Sequence, residues 1–209
     1  LLLALGTPGV EVLGISTVGG NTLLHNTTRN TLRLLELVGR QDIPVASGCD
    51  TPYQRDKREQ GTAVHGVDGF GGCTLPDPVI GTVTDDAPAF LANLIRQHPE
   101  ATLVTLGPLT NIAHLVDRFP DARPARMVMM GGAAHMGNVS PVAEFNVWHD
   151  PHAAARVFAA NLHPVMVGLD ATHSVKTFES EFDGLDGPLG QVLAPMVTFY
   201  TDFYQSVHG

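Results

Sequence analysis

Along the chain, short β-branched apolar runs alternate with longer stretches whose leucines and alanines recur every three or four positions. Val10–Val18 ("VEVLGISTV") reads as a buried strand. "TLLHNTTRNTLRLLELVG", from Thr22 to Gly39, carries leucines at helical spacing and is closed by its glycine. "IPVAS" is a short strand, followed by a Gly-rich, charged loop from Gly48 to near Gly81. Thr84 is placed to cap the next helix, with Asp85 and Asp86 in its first turn. "ATLVTLG", "RMVMMGG" and "PVMVGL" are strands. They are separated by the helices "PLTNIAHLVDRF" and "AARVFAANL", the second capped by Asp150. This alternation predicts a single α/β domain over residues 1–209, with a mostly parallel, Rossmann-like open sheet and helices on both faces. Leu1–Leu5 reads as the end of a helix stopped by Gly6 and Pro8, and "MVTFYTDFYQSVHG" ends without a closing element, so the domain is expected to be incomplete at both ends.

Composition narrows the chemistry. A hydrophobic content of 44% with 16% charged residues is that of a globular domain. A formal net charge of −9 argues against binding a phosphate backbone, so no nucleic-acid partner is expected. No run of 18 apolar residues predicts a membrane span, and the two cysteines, Cys49 and Cys73, form no disulfide framework; a cytoplasmic protein is expected.

Open parallel sheets bind ligands at the carboxyl ends of their strands. The polar clusters of this chain fall there: Asn21 after the first strand, "LGPLTN" from Leu106, the loop "GGAAHMGNVSPVAEFN" from Gly131, and "DATH" from Asp170. Asn21 is equally suited to cap the helix from Thr22. Leu106 reads as a strand residue, though a strand-end carbonyl can ligate a hard cation. Glu144 and Asn146, two apart in an extended segment, would point to one face with Phe145 opposite, and together with Asn138 they match the vicinal hydroxyls of a sugar. The alternative is a surface loop bonded to itself. His65 sits in "VHGVDGFGG", whose glycines predict a mobile loop near a site. Asp170 and His173 read as a base and its orienter, or as buried polar groups around a strand end. Phe199, Tyr200, Phe203 and Tyr204 share one helix, as core or as a surface on which a base can stack.

"GISTVGGNT", "VHGVDG", "TLVTLGPLTNIA", "MVMMGGAAHMGNVSPVAEFNVWHDPHAA" and "MVGLDATH" resemble, in order and spacing, the inosine-uridine-preferring nucleoside hydrolase family over essentially the whole chain. The resemblance implies an α/β fold and hydrolysis of ribonucleosides to ribose and free base, in purine or pyrimidine salvage. It also implies one bound Ca2+ and a homodimer or homotetramer. It carries ribose contacts to Asn21, Asn138, Glu144 and Asn146, pocket lining to Met130 and Phe145, and a calcium-ligating carbonyl to Leu106. His65, Tyr200 and Tyr204 fall on the base side.

One departure stands out. The family's aspartate cluster, D-x-D-P-G-x-D-D, would precede Leu1, and its His-Asp pair would follow Gly209; neither is among the 209 residues. The family's base and acid therefore have no counterpart here. The polypeptide alone is expected neither to hold calcium tightly nor to turn over substrate. A non-catalytic nucleoside or ribose binder is the competing expectation.

Overall fold

The computed structural model describes residues 1–54, 61–182 and 184–208. After a short helix, α1 (Leu2–Gly6), two parallel strands, β1 (Ile15–Ser16) and β2 (Val45–Ala46), flank helix α2 (Leu24–Leu37). A one-turn helix, α3 (Thr62–His65), lies within the long loop, and α4 (Ala87–Gln97) follows it. Three strands then form a second parallel sheet in the order β3-β4-β5, with β3 Thr102–Thr105, β4 Arg126–Met130 and β5 Val165–Val167. Helix α5 (Thr110–Arg118) crosses from β3 to β4. The β4–β5 crossover carries α6 (Phe145–His149) and α7 (Pro151–Phe158). Helix α8 (Leu169–Thr172) and the long α9 (Gly187–His208) complete the chain.

The expected strand at Val10–Val18 pairs only over Ile15–Ser16, because a strand is defined by its partner and β2 is short. The cap of α4 is Asp86, whose carboxylate accepts the Ala89 N–H; Thr84 instead accepts the Asp86 N–H. Asp150 does cap α7, as its position before Pro151 predicts.

The β3-β4-β5 sheet buries one face against helices, whereas β2, with Val45 and Ala46 both buried, is covered on both faces. Leu91, Ile95, Ile112, Leu115, Met127, Met129 and Val157 form the main core under β3-β4-β5, and Leu32, Leu35, Ile43 and Val45 a second one under β1-β2. The pairing Val104–Val128–Val165 crosses the second face of β3-β4-β5. The outer two of these valines are 57% and 46% exposed, so this face lies open among the described residues.

Candidate functional site

The carboxyl ends of β1 and β3 meet. A Cβ on Gly20 would lie 2.9 Å from Pro108 Cδ, and one on Gly107 would lie 3.3 Å from Val18 Cγ1. Buried Asn111 bridges the same region: its Nδ2 donates to Thr17 O (2.9 Å) and its Oδ1 accepts from Cys49 N (2.9 Å). Asn21 and Leu106 thus stand on neighbouring loops at one rim. Asn21 does not cap α2, whose N-cap is Leu23 with no side-chain bond, so the helical-cap reading of Asn21 falls away.

At the end of β4 the chain turns through Gly131 (φ 154°) and Gly132 (φ 76°), a conformation open to glycine. Glu144 is 3% exposed, and its carboxylate accepts three backbone N–H groups: Gly132 (2.8 Å), Asn146 (2.9 Å) and Val147 (3.2 Å). Phe145 and Asn146 are therefore the first residues of α6, with Glu144 as its cap, and the expected extended segment is corrected. Helical geometry is favoured there because a carboxylate at a helix N-terminus satisfies orphan donors and meets the dipole.

Buried Asn146 donates through Nδ2 to Met130 O (3.2 Å) and toward Met130 Sδ (3.4 Å), which ties the helix to the strand end. Exposed Asn138 accepts the Phe145 N–H at its Oδ1 (2.9 Å). The three polar residues do converge, yet much of their capacity is used on backbone. The Nδ2 hydrogens of Asn138, the Oδ1 of Asn146 and a spare lone pair on Glu144 Oε1 are what the wall offers a sugar.

His65 ends α3, and its ring centroid lies 6.1 Å from that of Tyr200, which in turn is 4.7 Å from Tyr204. Burial lowers the His65 pKa. Burial, then a hydrogen bond with Tyr204, raises that of the Tyr200 phenol. A Cβ on Gly61 would stand 3.4 Å from His65 Cδ2 and 3.5 Å from Asn21 Cα, so Asn21 and the aromatic group share one neighbourhood. The loop after His65, expected to be mobile from its glycines, is pinned by Thr22, Asn26 and Asn30. Two buried asparagines four positions apart on α2 are the sequence cue to this anchoring, and composition alone hides it.

Of the two readings of Asp170 and His173, the base-and-orienter couple does not form, and Asp170 is exposed, not a buried polar group. Asp170 accepts from Ala134 N (2.6 Å) and pairs with His135 Nδ1 (2.7 Å). The Ala134 N–H, then His135, holds the Asp170 carboxyl down to about 2. Asp170 thereby ties α8 to the loop that presents Asn138.

Metal chemistry fits less well. Among the described residues no cluster of three or more His, Cys, Asp or Glu is placed to hold a metal ion. Calcium takes roughly 6–8 oxygen ligands, of which the Leu106 carbonyl would be one. Among the described residues the donors do not make up the calcium site that the resemblance implies. No helix among the described residues is long and apolar enough to cross a membrane.

A model of the family described as inosine-uridine preferring nucleoside hydrolase matches residues 1–209. The pyrimidine-specific ribonucleoside hydrolase RihA of Citrobacter koseri is 38% identical over 211 residues, covering 98% of this chain and 67% of its own. An uncharacterised protein of Schizosaccharomyces pombe, C1683.06c, is 40% identical over 201 residues, covering 92% and 64%. Among solved structures, the purine-preferring ribonucleoside hydrolase from Gardnerella vaginalis superposes with a TM-score of 0.94 at 29% identity, covering 99% of this chain and 70% of its own. The plant nucleoside hydrolase PpNRh1 superposes at 0.87 with 32% identity, covering 99% and 67%. The chain belongs to the inosine-uridine preferring nucleoside hydrolase family.

Proposed function

We propose that Asn138, Glu144 and Asn146, with Met130 behind them, hold the ribose of a ribonucleoside, and that His65, Tyr200 and Tyr204 face its base. The reaction is hydrolysis of the N-glycosidic bond, giving ribose and a free nucleobase. Relatives named for pyrimidine and for purine preference both resemble this chain, so the substrate class is the ribonucleoside. One observation carries the reading: the Glu144 carboxylate locks Gly132 to the start of α6, which fixes Asn146 and, through Phe145 N, Asn138.

In this arrangement the chain's residues orient the sugar. Asn138 donates and Asn146 accepts at neighbouring hydroxyls, holding C1′ and the departing base in one geometry, and such positioning lowers a barrier by several kcal/mol. Departure of the base gives an oxocarbenium-like centre. The rigid wall then does not need to reorganise as charge develops. Asn21, on the adjoining loop, reaches the sugar from the β1 side. Calcium and a homodimeric or homotetrameric, cytoplasmic enzyme belong to the same reading, carried by the family resemblance.

Binding of uridine and inosine, followed by ribose release with calcium and with EDTA, tests it. Saturable binding that Asn146→Leu removes supports the ribose wall; no binding of either nucleoside refutes it. Binding in EDTA with no ribose release under any metal condition favours a non-catalytic nucleoside-binding protein. Turnover by the 209-residue polypeptide alone is decided in the same assay.

A further inference from the structure

The segment from His65 to Gly72 lies between α2 and α9 and is held from both sides. From α2, Asn26 Nδ2 donates to Val67 O (3.0 Å) and Asn30 Nδ2 to Asp68 O (2.7 Å). Both asparagines are 7% exposed. Thr22 Oγ1 donates to Val67 O (2.9 Å) and accepts from Asn26 Nδ2 (2.9 Å). On the other side Phe199 of α9 packs against Gly71 (φ 59°), where a Cβ would stand 2.8 Å from Phe199 Cβ. The segment closes on itself through the Gly71 N–H to His65 O (2.9 Å).

Packing does not require this arrangement. A buried amide costs free energy unless it is bonded, and Asn26 and Asn30 lie on the side of α2 turned away from Leu32 and Leu35, outside that core. Both amides are instead directed at successive carbonyls of one loop, two and three residues beyond His65. The loop's place relative to α2 is therefore specified by directional bonds, and its place relative to α9 by contact with Phe199.

We propose that Asn30, with Asn26 one turn before it, is a positioning residue that holds His65 against Tyr200 on the base side of the nucleoside site. The proposal rests on the reading of His65, Tyr200 and Tyr204 as that base-side group. Asn30 touches no substrate; it acts through Asp68 and the loop backbone.

The test follows the His65 imidazole by NMR in the full chain, in Asn30→Leu and in the smaller Asn30→Ala. Ile95→Val, on the buried face of α4, is the control for a general loss of stability. Tyr200, Tyr204 and Asp68 stay in place in all of them. Loss of the Asn30 bond should release the loop, move the His65 titration up toward the ordinary 6.5 and reduce its ring-current shift from Tyr200. Uridine affinity should fall about tenfold, the weight of one well-placed contact. Ile95→Val should leave both readouts unchanged. An unchanged His65 titration in folded Asn30→Leu overturns the positioning role, as does failure of both Asn30 variants to fold, which would make the anchor a purely structural one. A shifted His65 with unchanged uridine affinity overturns the base-side reading instead, and the two failures are thereby told apart.

Discussion

Replacing Glu144 by Gln keeps the shape of the side chain and removes its charge and one of its two acceptor oxygens. The carboxylate is 3% exposed and accepts from Gly132 and Val147 on Oε2 and from Asn146 on Oε1. With the glutamine oxygen facing Gly132 and Val147, its NH2 meets the Asn146 N–H donor to donor. With the amide turned over, two donors are orphaned instead. An unsatisfied buried N–H costs about 1–3 kcal/mol, and the bonds that survive lose their charge assistance. Glu144→Gln should therefore destabilise the fold by about 2–3 kcal/mol, which for a chain of this length lowers Tm by about 4–12 °C. Denaturant titration gives the free energy, and hydrogen exchange at Gly132, Asn146 and Val147 localises it. Asn138→Ala, at an exposed position with one backbone bond, should cost less than about 1 kcal/mol and serves as the comparison. A Glu144→Gln protein within about 0.5 kcal/mol of the parent, with unchanged exchange at those three amides, would refute the locking role and leave Glu144 as a ligand contact only.

Gly137→Ala should open the loop that presents Asn138, since its Cβ would stand 2.3 Å from both Ala143 N and Ala143 O; loss of the Asn138–Phe145 bond by NMR and weakened nucleoside binding check this. Asp170 should titrate near 2, measured by carboxyl NMR. Because its folded pKa lies below the unfolded value, its stabilising contribution is complete above about 4 and is lost as pH falls toward 2, a limb that Asp170→Asn should remove. Calorimetric titration with calcium should show no tight binding, since among the described residues no cluster of three or more His, Cys, Asp or Glu is placed for it, and micromolar affinity would refute this.

Element types were largely legible because helical and strand periodicities differ so plainly here, and the Asp150 cap followed from its place before Pro151. Strand lengths were not, since Val10–Val18 has strand chemistry throughout but a hydrogen-bonding partner only at Ile15–Ser16. Helix α6 was missed because its cap is a glutamate, an uncommon choice whose strength comes from Gly132, twelve residues back in sequence. For the same reason the Asp170–His135 pair, joining α8 to a loop 35 residues earlier, leaves no local pattern. Asn138, Glu144 and Asn146 were found by their chemistry, while their bonding to the backbone came only from the fold. The pinned loop shows the limit of reading flexibility from glycine content: its glycines admit close neighbours, Thr22 at Gly69 and Phe199 at Gly71, instead of granting freedom.

The joint between Asn111, Thr17 and Gly48 constrains how this chain can vary over time. A Cβ at Gly48 would fall 2.4 Å from Thr17 O and within 2.5 Å of both polar atoms of the Asn111 amide. No side chain at position 48 can be accommodated by a small adjustment, because the obstacle includes main chain. Shortening Asn111 first would strand the Thr17 carbonyl and the Cys49 N–H. Replacing Asn111 does not free position 48, because the Thr17 carbonyl still stands in the way. Among diverging copies of this chain, Gly48 should be kept whatever stands at 111, and Asn111 kept wherever the Thr17 carbonyl and the Cys49 N–H remain buried.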